Sequence, residues 1–291
     1  PGLNTAAPPL ARPSWLRVRL ADWRAFRRTE EIVELHGLHT VCFSADCPNI
    51  AECWSRGTAT LMLLGDTCTR RCGFCAVRSA APRAFDPHEP RRVAEAVRDL
   101  GIRFAVLTSV ARDDLPDGGA SVFADSVREI RRLCPGVGVE VLIPDLGGRD
   151  EDLDTVFRAR PDVCNHNLET VRRLQRLVRP SAGYERSLHV LRRAAAAGLD
   201  AKSGLMLGLG ETDGEGHGAL RDLRAAGVSA LTLGQYLPPD PRHLPVVRFV
   251  SPGEFTALGA YARSLGFAHV ESGPLVRSSY HAEASPLAAR H

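Results

Sequence analysis

The sequence predicts an α/β fold: a partial (β/α)6 barrel with an N-terminal cysteine-loop extension and a C-terminal extension. Three observations predict it. Short apolar runs of strand length alternate with amphipathic segments of helix length, the pattern of parallel strands joined by crossover helices. Six such units follow one another, and polar residues come directly after each apolar run. Barrels place their chemistry at the C-terminal ends of the strands, so polar rims are expected there. The 291 residues, 44% of them hydrophobic, suffice to bury one large core.

In chain order, residues 1–15 are expected to be disordered or draped over the body. Residues 17–36 read as a helix, with Val18, Leu20, Trp23, Phe26, Ile32, Val33 and Leu35 among arginines and glutamates. Residues 40–57 form a first cysteine loop containing a Pro48-Asn49 turn. Strands are predicted over 61–64, 104–108, 137–143, 162–166, 201–207 and 230–233, with a further strand over 267–271. Helices are predicted over 89–100, 119–133, 149–158, 170–178, 184–197, 214–226 and 252–265. The organisation expected is 1–57 as the N-terminal extension, 58–250 as the barrel and 251–291 as the C-terminal extension.

Six of the eight cysteines fall between positions 42 and 75. Cys68, Cys72 and Cys75 are spaced C-x3-C-x2-C, and Cys42, Cys47 and Cys53 are spaced C-x4-C-x5-C. Thiolates are the preferred protein ligands of iron–sulfur clusters. Three cysteines on a four-iron cluster leave one iron open to a substrate. Zinc is the alternative, because His36 and His39 stand close enough in sequence to complete the upstream trio. Disulfides fit poorly, since cysteines three residues apart on a tight loop do not reach the required geometry. Cys134 and Cys164 lie outside both trios and read as small buried apolar residues.

The strand ends collect polar residues on the rim that carries the cysteines. After the first strand comes the 68–75 loop, and after the second Thr108 and Arg112-Asp113-Asp114. Pro144-Asp145 follows the third, and Asn165, Asn167 and Glu169 follow the fourth. Lys202 and Gly204 lie on the fifth, which ends in Gly208 to Glu211, and Gly234, Gln235 and Tyr236 follow the sixth. Lys202 is the only lysine in a chain whose other basic residues are arginine, so something there resists replacement or base composition alone accounts for the bias. It and Arg277 suit anionic groups or a structural ion pair. His166 reads as a packed strand-end histidine. Arg128, Arg131 and Arg132 read as a solvated helix face, with an acidic carrier domain as the alternative partner.

A net charge of +3 gives no nucleic-acid footprint. No apolar run reaches membrane-spanning length, and the first residues lack an apolar signal core, so a cytoplasmic protein is expected.

Cys68, Cys72 and Cys75, with Phe74 before the last, resemble the C-x3-C-x-aromatic-C signature of the radical S-adenosylmethionine (SAM) superfamily. Gly204-Leu-Met-Leu-Gly208-Leu-Gly-Glu211 resembles that superfamily's G-x-I-x-G-x-x-E strand, with Met206 in the isoleucine slot. Within the superfamily the chain resembles the lipoyl synthase family. The matching stretches run from Cys47-Pro-Asn-Ile50 and Glu52-Cys-Trp-Ser-Arg-Gly-Thr-Ala-Thr60 through Gly65 to Val77, Arg112-Asp-Asp-Leu115 and Asn165 to Thr170. Leu233-Gly-Gln-Tyr236 and Arg277-Ser-Ser-Tyr280 complete them. Phe43-Ser-Ala45 departs from the family, replacing a more acidic stretch.

The resemblance implies a barrel of the radical SAM type and two [4Fe–4S] clusters. Cys68, Cys72 and Cys75 would hold the cluster that binds SAM and cleaves it reductively. Cys42, Cys47 and Cys53, with Ser279 as the fourth ligand and Ser278 as the fallback, would hold an auxiliary cluster that donates sulfide. The implied reaction inserts sulfur at C6 and C8 of an octanoyl chain on a carrier lysine, using two SAM per lipoyl group. Implied SAM contacts are Phe74, Thr108, Arg112, Asp113, Asn165, Asn167, Glu169, Lys202, Gly204, Met206, Gly208, Glu211, Gln235 and Tyr236. Implied partners are octanoylated lipoyl-carrier domains (2-oxoacid dehydrogenase E2 subunits and the glycine cleavage H protein), an electron donor and an iron–sulfur carrier for rebuilding the cluster. No nucleic acid and no membrane are expected, and the chain is expected to be a monomer. Another two-cluster enzyme, such as a methylthiotransferase, would carry an added recognition domain. A non-catalytic iron–sulfur carrier would have no use for the Gly204–Glu211 strand.

Overall fold

A computed structural model of the chain describes residues 11–17, 22–56, 58–280 and 282. Helix α1 spans Trp23–Leu35, its start fixed by Asp22, whose carboxylate accepts the Arg24 N–H at 3.0 Å. The helix therefore begins later than the expected 17–36, and residues 18–21, with Val18 and Leu20, lie outside the described residues. Residues 1–10 also lie outside them; of the rest of the expected 1–15 segment, 11–15 are mostly exposed, and the neighbouring Leu16 is buried.

Strand β1 (His39–Thr40) is followed by two short helices in the cysteine loop, α2 (Val41–Ser44) and α3 (Ile50–Ser55). Strand β2 (Thr60–Leu63) leads into a two-stranded pair, β3 (Thr67–Cys68) and β4 (Arg78–Ser79), that frames the second cysteine loop. Helix α4 (Glu89–Leu100), strand β5 (Phe104–Ser109), helix α5 (Ala120–Leu133), strand β6 (Gly138–Leu142), helix α6 (Asp150–Arg158) and strand β7 (Val163–Asn165) follow. The predicted 170–178 helix is broken into a 3-10 turn, Arg172–Leu174, and one α-turn, α7 (Gln175–Val178). The break has a local cause: the buried Gln175 amide donates to the Leu168 and Thr170 carbonyls, which holds the preceding turn against the strand ends instead of in a helix. Helix α8 (Tyr184–Ala196), strand β8 (Asp200–Leu207), helix α9 (Asp213–Ala225), strand β9 (Ala230–Gln235), helix α10 (Pro252–Ser264) and strand β10 (His269–Gly273) complete the chain.

One sheet runs β1-β2-β5-β6-β7-β8-β9-β10, parallel throughout except for β1, which pairs antiparallel with β2. Its first and last strands, β1 and β10, do not pair, so the barrel is open as predicted. The expected final strand lies two residues further on, at His269–Gly273, in register with β9. Side chains alternate across the sheet. On β5, Ala105 and Leu107 pack outward with Val93, Val97, Phe123 and Val127 of the helices. Phe104 and Val106 face the interior, where they meet Val163, Ala230 and Ala282. Ala282 is thus buried in the same cluster as these strand residues. Among the described residues, no helix is long and apolar enough to cross a membrane.

Candidate active site

The second cysteine loop hangs from the C-terminal end of β2, and its geometry is set by charge. Arg70, between Cys68 and Cys72, donates Nε and Nη2 to Asp113 at 2.8 and 2.6 Å. Its Nη2 also reaches Asp145 Oδ1 at 2.6 Å. Burial alone would raise the Asp145 carboxyl, but Arg70 overrides it and holds the group near about 2. Asp145 also accepts from Arg186 at 3.2 Å. The loop is thereby pinned to the ends of β5 and β6.

Two backbone N–H groups, of Arg70 and Ala111, point at Cys68 Sγ from 3.4 and 3.3 Å. Burial pushes the Cys72 thiol up to about 11 and the Cys75 thiol up to about 12. Such thiols ionise when a cation replaces the proton. Half-buried sulfurs, N–H donors aimed at one of them and no competing side-chain ligand fit an iron–sulfur cluster. Among the described residues, no three His, Cys, Asp or Glu side chains converge on one metal ion. A cluster asks for less convergence, because each thiolate binds a different iron. His36, weighed as a zinc ligand, instead places Nε2 2.8 Å from Asp99.

The fourth strand end turns sharply. Glu169 has φ +67° and forms a parallel bridge with Leu205 of β8. Inside this turn Asn165 donates to Glu140 at 2.8 Å and Asn167 donates to Glu169 at 3.1 Å. Both asparagine carbonyl oxygens are buried without a partner, as is Arg112 Nη1. A buried, unsatisfied polar atom is costly and points to an absent partner. Two orphan acceptors and a carboxylate suit a ribose diol, and the orphan donor suits a carboxylate. Burial raises the Glu169 carboxyl, against the pull of Arg179, Asn167 and Arg277.

Other expected contacts are engaged by the protein. Glu211 accepts the Gly208 and Leu209 N–H groups at 2.6 and 2.9 Å, which fixes the turn after β8. Gly208 there has φ +95°, and a Cβ would strike Gln235 and the Arg248 carbonyl. Gln235 donates to the Leu207, Tyr236 and Arg248 carbonyls and accepts from Val250. Tyr236 donates to the Leu244 carbonyl at 2.7 Å. Asp113 grips Arg70 and Thr69, and Thr108 donates to the Leu142 carbonyl at 3.0 Å. Lys202 forms a buried ion pair with Glu140 at 2.8 Å. Gly204 lies against Thr232 and Asn167, while Phe74 and Met206 pack on the apolar core around β8 and β9.

Sequence reasoning missed Arg179, a buried guanidinium that donates to the Asn167 carbonyl at 3.0 Å and to Ser187 Oγ at 3.1 Å. It sits at the end of α7, whose Val178 carbonyl accepts the Gly73 N–H at 2.9 Å. Nothing local marks it, because its partners arrive from distant segments. His166 is the packed histidine expected: buried, with its nitrogens 2.9 Å from the Ile143 carbonyl and 3.0 Å from Ser187 Oγ. Arg128, Arg131 and Arg132 pair with Asp125, Asp162 and Glu129 on a solvated face. Cys134 and Cys164 are buried, as expected.

The upstream trio clusters with Trp54, Ala59, Phe26 and Ile50. Asn49, between Cys47 and Cys53, donates to the Leu275 carbonyl at 2.7 Å, and Tyr280 OH lies 3.2 Å from Glu52. The Arg277-Ser-Ser-Tyr280 turn is therefore tied to the upstream cysteine loop on both sides. The Val276 carbonyl closes over Gly234 so tightly that a Cβ there would overlap it, and Arg277 Nη1 would lie 3.3 Å from that Cβ. Burial lowers the Arg277 guanidinium, while Cys47 and Glu169 both act to raise it.

Residues 62–234 match the model of the radical SAM superfamily. The chain is 57% identical over 274 residues to a lipoyl synthase of Symbiobacterium thermophilum, covering 94% of this chain and 86% of that one. It is 54% identical over 279 residues to one of Frankia alni (96% and 85%) and 52% identical over 278 residues to one of Chlorobaculum parvum (95% and 95%). In fold it is similar to Streptococcus suis SuiB bound to SAM, with a TM-score of 0.55 and 9% identity over 74% of this chain and 50% of that one. It is likewise similar to the hydrogenase maturase HydG, with a TM-score of 0.55 and 16% identity over 89% and 70%. The superfamily implies a [4Fe–4S] cluster and SAM. With that site, that sheet and relatives matched over almost their whole length, the chain belongs to the lipoyl synthase family of radical SAM enzymes.

Proposed function

We propose that this lipoyl synthase holds its SAM-cleaving cluster on Cys68, Cys72 and Cys75, and a second [4Fe–4S] cluster on Cys42, Cys47, Cys53 and Ser279. The observation that carries the reading is the position of Arg277. It lies against Gly234 at the end of β9, and Cys47 of one loop and Glu169 of the strand-end rim both act on its guanidinium, which supports a reading in which the two trios serve neighbouring centres.

When bound, the first cluster supplies the electron that cleaves the sulfonium of SAM. The chain's own residues bind, orient and exclude water. Arg70, Asp113 and Asp145 hold the cysteine loop against the rim. Arg112 Nη1, unpartnered within the protein, would donate to the methionyl carboxylate, and Asn165, Asn167 and Glu169 would accept from the ribose hydroxyls. Gly204 and Met206 would form the bed for adenine, and Met206 and Phe74 pack against the same apolar core. Thr108, Gly208, Glu211, Gln235 and Tyr236 set the shape of the rim through the bonds described above, and Lys202 supports it from within the barrel through Glu140.

The second cluster is a co-substrate whose sulfide enters C6 and C8 of the octanoyl chain, with two SAM consumed per lipoyl group. A serine oxygen is a harder, poorer match to iron than thiolate, so Ser279 is the ligand suited to leave as that cluster is dismantled. The acyl substrate arrives on a lipoyl-carrier domain, of a 2-oxoacid dehydrogenase or the glycine cleavage H protein. An electron donor and an iron–sulfur carrier complete the cycle, and the chain works as a cytoplasmic monomer. Residues 1–57, 58–250 and 251–291 act as extension, barrel and closing segment.

The test is anaerobic reconstitution with iron analysis, followed by mass spectrometry of an octanoylated carrier peptide incubated with reductant and SAM. About eight irons per chain and a mass gain from two sulfurs are expected. SAM consumption without sulfur gain overturns the substrate, and about four irons overturn the second cluster.

A further inference from the structure

The connection between β9 and α10, residues 236–251, is long for a barrel loop and contains Pro238, Pro239, Pro241 and Pro245. It is fastened across the barrel mouth. Tyr236 OH donates to the Leu244 carbonyl at 2.7 Å, and the Leu244 N–H donates to the Gly73 carbonyl at 3.0 Å. The Val247 N–H donates to the Gly208 carbonyl at 2.9 Å. A Cβ on Gly73 would come within 2.9 Å of Leu244 Cδ1, so the two segments are closely packed there. His243 completes the set, with Nε2 3.0 Å from the Cys75 carbonyl oxygen and Nδ1 2.9 Å from Asp240 Oδ1. A carbonyl oxygen can only accept, so Nε2 carries the proton in that contact.

We propose that His243 is a positioning residue for the cluster-bearing loop, acting through the carbonyl of Cys75. The proposal rests on the reading of Cys75 as a cluster ligand. The Cys75 N–H already donates to the Cys72 carbonyl at 3.2 Å. With its carbonyl held by His243, the peptide groups on both sides of the Cys75 Cα are fixed, and the sulfur retains only the freedom of χ1. The neighbouring Gly73 is pinned in the same way, by the Val178 carbonyl on its N–H and the Leu244 N–H on its carbonyl. The strap therefore joins the cysteine loop and the Gly208 turn into one rim, so that a ligand held by both would meet surfaces fixed relative to each other. Groups that orient metal ligands from outside the coordination sphere are worth about 10–100-fold in affinity or activity.

The experiment compares the reconstituted full-length enzyme with its His243→Ala, His243→Gln and Cys75→Ala variants. The readouts are iron content, the electron paramagnetic resonance spectrum of the reduced enzyme with and without SAM, and the rate of reductive SAM cleavage. His243→Ala is expected to keep its melting temperature, to show an altered spectrum on adding SAM, and to cleave SAM about 10-fold more slowly or worse. His243→Gln, which restores an N–H near the Nε2 position, is expected to recover most of both. A wild-type rate and spectrum in His243→Ala overturns the proposal, as does a His243→Gln variant as impaired as His243→Ala. If Cys75→Ala keeps full iron and wild-type cleavage, the ligand reading itself falls, and the proposal with it.

Discussion

Arg70 and Asp145 meet 2.6 Å apart, with side chains 8% and 0% exposed, and that pair fastens the cysteine loop to the end of β6. Removing Asp145 leaves Arg70 with Asp113 as its remaining counterion and forfeits the buried charged hydrogen bond, a loss of roughly 1–3 kcal/mol. Asp145→Ala is therefore expected to lower the urea midpoint and to lose iron from the downstream trio, while the more distant upstream trio keeps its own. Unchanged iron and midpoint would show that the loop holds itself.

The same carboxylate sets an acid limit. Its pKa is lowered from 3.8 to about 2 in the fold, so between those values the unfolded chain binds more protons. The stability it contributes is complete above pH 3.8 and lost as pH falls towards 2. His166 acts in a higher window: burial lowers it from 6.5 to about 4, so stability falls as pH drops from 6.5 towards 4. The full drop is on the order of 3 kcal/mol. Urea unfolding across this window is expected to show the slope in the wild type and to lack it in His166→Gln. A slope that survives the substitution would assign it to another group.

Lys202 and Glu140 form a second buried pair, inside the barrel. Lys202→Met alone is expected to destabilise by roughly 3–5 kcal/mol, because Glu140 keeps its charge and loses its counterion. Adding Glu140→Leu is expected to recover part of that loss, since an apolar pair of similar volume removes the stranded charge. Additive losses in a double-mutant cycle would show that the two side chains do not depend on each other.

Ser279→Ala is expected to lower iron retention at the upstream trio and to abolish sulfur insertion, while SAM cleavage continues. Ser278→Ala is expected to behave as wild type. Iron analysis and carrier-peptide mass spectrometry on both variants check this, and the reversed pattern would move the ligand to Ser278.

Arg277→Met is expected to uncouple the two centres. SAM cleavage would persist while sulfur transfer per SAM cleaved falls about tenfold, because the cation on which Cys47 and Glu169 both act is lost. The ratio of sulfur inserted to SAM consumed is the measurement, and a ratio unchanged from wild type would end the idea.

The sequence alone determined the elements and the chemistry. Short apolar runs and helical periodicity marked the strands and all the crossover helices but the broken 170–178 segment, because burial on a sheet or helix face is a local demand on residue type. The cysteine spacings pointed to a cluster-binding family, because chelation by one loop is also a local demand on sequence. Tertiary structure decided which polar groups remain free for a ligand. Glu211, Gln235, Tyr236, Lys202 and Asp113 have the same chemistry in sequence as Asn165, Asn167 and Arg112, yet the first group is bonded within the protein and the second keeps an unpaired atom. Only the fold reveals that difference. A hydrogen bond needs two partners within about 3 Å, and Lys202 with Glu140, Arg179 with Ser187, and His243 with Cys75 are brought together from distant parts of the chain by the closure of the barrel.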